Sequence, residues 1–235
     1  MSIKKAMIFA AGRGERMRPL TDACPKPLLE VGGQPLIVWQ IERLARAGIT
    51  SIVINHAWLG EQFEAALGNG SRWGVELRYS AEHDALETAG GIAQALPLLT
   101  DGGADQLFVA VAGDVYTEFD YATLHAHADR LQALPEPGMH LVMVPNPAFH
   151  PNGDFGLVDG VLSLDTQPRF TFASFGLYDT RMFRDLPRGT RRALSPYYRE
   201  TIARGLASGE LYEGLWENVG TQAQLEALDR VLRAR

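Results

Sequence analysis

Residues 6–28 read Ala-Met-Ile-Phe-Ala-Ala-Gly-Arg-Gly-Glu-Arg-Met-Arg-Pro-Leu-Thr-Asp-Ala-Cys-Pro-Lys-Pro-Leu. The apolar run Ala6–Ala10 predicts a strand buried on both faces, the pattern of a central strand covered by helices on each side. A glycine loop leaving such a strand can bring backbone N–H groups against phosphate oxygens. Arg13, Arg16, Arg18 and Lys26 crowd this loop. Cations packed that closely repel one another unless an anion sits among them, and a nucleoside triphosphate is the simplest such anion. Gly12-Arg13-Gly14 opens like a dinucleotide fingerprint, but the third glycine is missing. Pro19, Pro25 and Pro27 also keep the chain from running straight into a long helix. The stretch therefore reads as an extended loop that wraps phosphate.

Outward from this loop, strand-like and helical patterns alternate. Strands are expected at 6–10, 51–55, 75–79, 106–112 and 140–145, and helices at 35–47, 59–67, 88–98 and 121–128. Such alternation predicts an α/β protein with a parallel sheet. After Pro147 the character changes. Gly153–Val158 and Arg169–Tyr178 read as strands without long intervening helices, and 195–206 and 221–232 as closing helices. The expected fold is Rossmann-like: a mixed, mostly parallel sheet flanked by helices, with a small β annex. One domain is expected over 1–235, with a nucleotide-binding half to about 145 and a second half from about 146.

Composition narrows the function. Hydrophobic residues make up 46% and charged residues 21% of 235, an ordinary globular balance. No apolar run approaches the ~20 residues of a membrane helix, so no membrane partner is expected. A net charge of −6 argues against a nucleic-acid partner, which needs a broad basic face. An acidic chain with one cationic loop suits a small polyanion drawn into a cleft. Cys24, the only cysteine, permits no internal disulfide and fits a reducing cytoplasm. The cationic loop around it would somewhat favour its thiolate. His125 and His127 read as solvated helix positions, His56 as structural and Trp58 as packing.

Asp114 follows Gly113 at the end of the 106–112 strand, where ligands gather in open α/β sheets. A carboxylate facing triphosphate oxygens calls for a cation between them, and Mg²⁺ suits that oxygen-rich setting. Arg16 can grip phosphate through a planar two-donor fork, and Lys26 supplies a movable point charge. Further along, Leu86-Glu87-Thr88-Ala89-Gly90-Gly91 opens a helix. Two glycines there cost about 1 kcal/mol each against Ala, which suggests close approach of something flat or else a tight contact with a neighbouring helix or strand.

The loop, Leu86–Gly91, Gly113-Asp114 and Trp216-Glu217-Asn218-Val219-Gly220-Thr221 together resemble the sugar-1-phosphate nucleotidyltransferase family, over nearly the whole chain. Within that family, the short length and the segments 53–60, 86–88 and 153–155 are most similar to members that move UMP from UTP onto N-acetylmuramic acid α-1-phosphate. Guanylyl transfer to mannose 1-phosphate, or transfer to glucose 1-phosphate, is the alternative. A non-catalytic nucleotide-sugar sensor is the alternative of another class. The resemblance implies Arg16, Lys26 and Asp114 as catalytic residues. It implies Ala11, Gly12, Arg13, Gly14, Glu87, Gly90 and Gly91 at the nucleotide, and Asn152, Asp154 and Ser174 at the sugar. Mg²⁺ would sit on Asp114 and Asn218. Position 218 is a departure, because relatives generally carry Asp there, and the neutral amide weakens the site. A lysine usual in relatives is also missing near Asp165-Thr166-Gln167-Pro168, leaving Lys26 or Arg169 to hold the sugar phosphate. The expected partners are the triphosphate, UTP by preference, and a sugar 1-phosphate, in a monomer or small homo-oligomer.

Overall fold

A computed structural model describes residues 2–104 and 106–235. Its strands are β1 (Lys5–Phe9), β2 (Glu30–Val31), β3 (Gln34–Pro35), β4 (Ser51–His56), β5 (Glu76–Ala81), β6 (Leu107–Ala112) and β7 (Val115–Thr117), then β8 (Met139–Val144), β9 (Phe155–Val158), β10 (Val161–Ser163), β11 (Arg169–Asp179), β12 (Ala207–Leu211) and β13 (Trp216–Asn218). Its helices are α1 (Leu20–Ala23), α2 (Leu36–Arg46), α3 (Glu61–Leu67), α4 (Glu87–Leu99), α5 (His125–Gln132), α6 (Ser195–Ala203) and α7 (Gln222–Arg233).

The central sheet has the order β5-β4-β1-β6-β11-β8-β12-β10-β9. Pairing is parallel from β5 to β6 and between β8 and β12, and antiparallel elsewhere. Following those signs across the sheet, only β11 and β10 run against the rest. The sheet is thus mixed and mostly parallel. The β annex is the far edge of this same sheet, since β9 and β10 bond to β11 and β12.

Successive strand residues point to opposite faces, and β1 shows the result. Ile8 packs with Val109, Val142 and the apolar faces of α2 and α5. Met7 packs on the other side with Phe108, Leu141 and the inner faces of α4 and α6. Each large side chain so buried contributes about 2 kcal/mol. A third cluster joins Met17, Val31, Tyr116 and Val219 to Leu225 and Leu228 of α7. It fastens the cationic loop, through Met17, to the 216–221 segment, through Val219.

Two expected elements differ. The helix expected over 195–206 ends at Ala203, and Gly205 turns the chain with φ +69°. Residues 207–211 then form β12, parallel to β8. Gly209 hides this strand from propensity, but a Cβ there would lie 2.9 Å from Leu162 Cδ2 and 3.0 Å from Leu141 O. The helix expected over 121–128 is a 3-10 turn at Tyr121–Leu124 followed by α5, and Asp120 caps the turn by accepting from Ala122 N–H.

Candidate active site

Parallel pairing sets Phe9 of β1 beside Ala112 of β6, so the cationic loop and Gly113-Asp114 leave the sheet side by side. Gly113 N–H donates to Phe9 O at 2.9 Å, and a Cβ on Gly113 would lie 2.9 Å from that oxygen. Only glycine permits this approach. From the far end of the loop Lys26 reaches back, with Nζ 2.6 Å from Asp114 Oδ2. Lys26 is 8% exposed, whereas the Asp114 side chain is 32% exposed and faces a cleft of about 560 Å³. Ala11, Gly12, Arg16, Glu87 and Thr88 also line that cleft.

The two loop glycines serve different ends. Gly14 has φ +70°, and a Cβ would press on Thr21 Cγ2 at 3.0 Å and Lys26 Cβ at 3.1 Å, so it is a demand of the backbone. Gly12 has nothing within 4 Å of its would-be Cβ and leaves cleft space open. The loop cations are similarly divided. Arg13 stacks over Trp58 at 3.9 Å and lies 3.8 Å from Asp22, while Arg18 pairs with Asp22 at 2.8 Å. Trp58 in turn donates from Nε1 to Thr21 O. Arg13 is therefore part of the loop's own packing and is not at the cleft wall. Arg16 has no ion-pair partner among the described residues and lies alongside Gly220, whose would-be Cβ is 3.3 Å from Arg16 Nη2. Cys24 is half-buried, and burial, aided by Glu30, raises its thiol above the ordinary value. The expected bias toward thiolate is absent because desolvation and the Glu30 charge both oppose it.

Below the cleft runs a polar chain with no sequence motif of its own. Asn55 Oδ1 accepts from Ala10 N–H at 3.0 Å, and Nδ2 donates to Glu82 Oε1 at 2.7 Å. Glu82 Oε2 accepts from Leu86 N–H at 2.8 Å. The end of β1 and the start of α4 are thereby tied together. Burial pushes the Glu82 carboxyl up, against its hydrogen bonds to Asn55 and Leu86. Gly90 and Gly91 are buried and are not among the residues that line the cleft. A Cβ on Gly90 would meet Thr190 O at 2.3 Å, and one on Gly91 would meet Asn55 Nδ2 at 2.7 Å. The helix is thin here so that the 190–192 backbone and the Asn55–Glu82 pair can pack on it. The same crossing brings Arg191 to the cleft, 3.1 Å from Glu87, which takes φ +60°. The sequence reading missed Arg191, and the basic run 188–192 was its only available signal.

The residues expected at the sugar lie off the cleft wall. Asp154 accepts from Phe172 N–H at 2.8 Å and pairs with His150 at 3.1 Å. Asn152 is exposed. Ser174 has φ +64° inside the register shift of β11 between Phe172 and Gly176, a bulge. Trp216 Nε1 donates to Ala173 O beside it. Arg169 is not available for the sugar phosphate, since its guanidinium donates to Leu164 O and Asp154 O. His56 stacks on Phe63 and is structural. His125 and His127 are only partly exposed. His125 accepts from Ile3 N–H and contacts Ala47 O, and His127 stacks on buried His140.

The donors present suit a hard divalent cation. Asp114 presents a cleft-facing carboxylate. Asn218 opposes Val115 in the β13–β7 pair, and Val219 N–H donates to Asp114 O at 2.9 Å, so the backbones at 114 and 218 run side by side. Hard oxygens in small number, completed by phosphate and water, are the usual setting for Mg²⁺. No three-carboxylate cage exists here among the described residues.

A glycine loop and a cation–carboxylate pair at adjacent carboxyl ends of a mostly parallel sheet define a nucleotide-handling transferase. The chain belongs to the nucleotidyl transferase family, whose model matches residues 5–160. It is 49% identical over 227 residues to the N-acetylmuramate alpha-1-phosphate uridylyltransferase of Neisseria meningitidis serogroup B, covering 94% of this chain and 95% of that protein. It is 33% identical to the enzyme of the same name from Caulobacter vibrioides, covering 98% of each. A Bacillus anthracis structure described as a glucose-1-phosphate thymidylyltransferase shares the fold, with TM-score 0.80 and 23% identity over 98% of this chain and 96% of its own. The chain is accordingly a sugar-1-phosphate nucleotidyltransferase, a family that typically uses a divalent metal.

Proposed function

We propose that the protein transfers UMP from UTP to N-acetylmuramic acid α-1-phosphate and releases pyrophosphate. The observation that carries the chemistry is the convergence on one cleft of Arg16 and Lys26 from the two ends of the cationic loop and Asp114 from the end of β6. The substrate pair follows the near full-length likeness to the Neisseria enzyme. An oxygen of the sugar phosphate attacks the α-phosphorus, forming a new P–O bond, and the bond to the β-phosphate bridge breaks. The attacking oxygen is already anionic, so no base has to remove a proton. The obstacle is the meeting of two anions, and the chain answers it by position and charge.

Arg16 reaches the cleft beside Gly220 and grips phosphate oxygens. Lys26, held low by its paired prolines, turns from Asp114 to the incoming phosphates. Gly12 leaves the loop backbone approachable. Asp114 and Asn218 would hold Mg²⁺, which when bound neutralises triphosphate oxygens and withdraws electron density from the α-phosphorus. The nucleotide half, to about 145, and the sugar half, from about 146, act as one domain. The reaction belongs to cytoplasmic recycling of cell-wall sugars. Among the described residues no helix is long and apolar enough to cross a membrane.

Pyrophosphate release is the test, with UTP or GTP offered against N-acetylmuramic acid 1-phosphate, mannose 1-phosphate and glucose 1-phosphate. Turnover is expected with UTP and the muramic acid phosphate, and its loss in chelator is expected to reverse with Mg²⁺. Turnover with GTP and mannose 1-phosphate alone would replace this substrate pair.

A further inference from the structure

Away from the cleft, three side chains from three elements meet over the middle of the sheet. His140 of β8 is 1% exposed, and its Nε2 lies 3.2 Å from Glu210 Oε1 of β12. His127 of α5 stacks on His140 with ring centroids 3.6 Å apart, and its Nε2 lies 3.8 Å from the same Glu210 oxygen. One ligand atom from each of the three falls within 4.8 Å of the others. The backbone explains the meeting. His140 pairs with Ser208 and Val142 with Glu210, so all four side chains emerge on one face of the sheet, the face α5 covers.

We infer that His127, His140 and Glu210 form a zinc site, separate from the nucleotide cleft. Two imidazoles and one carboxylate are a recognised ligand set for Zn²⁺ with a fourth position left to water, whereas Mg²⁺ prefers oxygen alone. The two metals would therefore sort themselves by ligand type. His140 also has its outer partner in place, because Nδ1 lies 2.9 Å from Ser208 Oγ. With Nε2 facing Glu210 as a donor, Nδ1 accepts from the hydroxyl. On metal binding the ring proton moves to Nδ1 and is donated to Ser208, the arrangement that orients metal-bound histidines.

The stacked rings are nearly parallel, 15° apart, so their in-plane lone pairs do not converge. One ring must turn. His140 is buried and held, while His127 is 30% exposed by its side chain and sits on a surface helix, so His127 turns. The site is open to solvent through the same residue and through Glu210. Its position is remote from the cleft. His140 lies level with Val109 through Leu177, well before the Ala112 end of β6 where Asp114 follows. A zinc ion here would tie α5 to β8 and β12, which lie between the two reversed strands β11 and β10.

The experiment titrates Zn²⁺ alone into the metal-stripped full chain, following heat and thermal melting, and repeats this with His127→Ala, Glu210→Gln and Ser208→Ala. One equivalent should bind and raise Tm by about 5 °C near saturation. His127→Ala and Glu210→Gln should each abolish the shift. Ser208→Ala should weaken binding about tenfold. Co²⁺ in place of Zn²⁺ should give the visible bands of a four-coordinate nitrogen-ligated ion, and these should be missing in His127→Ala. His127→Ala should keep its pyrophosphate release with Mg²⁺. Equal Zn²⁺ binding by wild type and His127→Ala, or none by wild type, would overturn the site.

Discussion

The loop at 10–28 and the segment at 146–175 spend their polar groups in opposite ways. In the loop, packing holds the backbone while charge is left at the cleft. Met17 is buried against Val219, Thr21 Oγ1 donates to Gly14 O, and Arg16 and the Asp114 carboxylate face open space. In the annex, polar side chains bond to the annex itself. Asn146 donates to Pro151 O and Arg169 O and accepts from Thr171, and Asp154 joins His150 to the β11 backbone. Charge presented at one rim serves chemistry, and polarity consumed at the other serves shape. A tally of polar residues thus does not measure binding capacity.

The sharpest attack on this contrast is Asp114→Asn. Loss of charge at a cleft-facing position should lower kcat by at least ~10²-fold. The melting temperature should change little, since the partly exposed pair with Lys26 contributes modestly to folding. A variant that melts early yet turns over normally would place Asp114 with the annex residues, as a structural group.

Gly90→Ala probes the wall between the two regions. Its Cβ would meet Thr190 O at 2.3 Å, a backbone oxygen that cannot simply swing away. Overpacking of this kind costs about 2 kcal/mol, visible as a lower denaturant midpoint. Nucleotide affinity should fall only as Arg191 is displaced. If stability were unchanged and UTP binding alone lost, the glycine would be serving the base and not the packing.

Asp154→Ala tests the annex from its own side. It removes the tether between the 146–154 loop and Phe172 N–H, next to the bulge at Ser174. The KM for the sugar phosphate should rise roughly tenfold, a loss typical of one hydrogen bond to a charged group. The KM for UTP should stay within about twofold. A rise in both would mean that the annex also shapes the nucleotide rim.

The same contrast explains what could be read from the chain alone. The central strands were legible because β1 and β6 are apolar on both faces, and the phosphate loop because Gly12, Gly14, Arg16 and Lys26 lie within a few residues of one another. Arg16, Lys26 and Asp114 were all placed at the cleft side by that reasoning. Position 90 stayed open, because a glycine that admits a neighbouring backbone and a glycine that admits a ligand look identical in sequence. Arg191 was missed because its place at the cleft depends on a crossing fixed by Gly90 N–H to Arg192 O and Arg192 N–H to Leu86 O. β12 escaped because its central glycine answers to Leu162 and Leu141, which are far away along the chain. His127 could not be paired with His140 until a helix and a strand were laid together. Local chemistry is written in runs of residues, whereas contacts between remote segments exist only once the sheet has formed.

The smallest effect concerns His56, which belongs to the nucleotide half but does not touch the cleft. Its ring stacks on Phe63 at 6.0 Å and lies edge-on to Tyr79 at 6.2 Å, with Gly60 leaving room for Nδ1. Burial lowers its pKa below the ordinary 6.5, with Glu61 and Glu64 opposing. The unfolded chain then takes the proton more readily than the folded one. Stability from this group is present above pH 6.5 and is lost as the pH falls through the depressed value. In His56→Gln, which cannot titrate, the decline of Tm between about pH 7 and about pH 5 should be shallower than in wild type, by on the order of 2 °C. Pyrophosphate release at neutral pH should match wild type, because the residue packs α3 against β4 and presents nothing to substrate. Parallel melting curves would show that the acid sensitivity lies elsewhere. A loss of turnover with unchanged melting would move His56 from the packed interior of this half to its working rim.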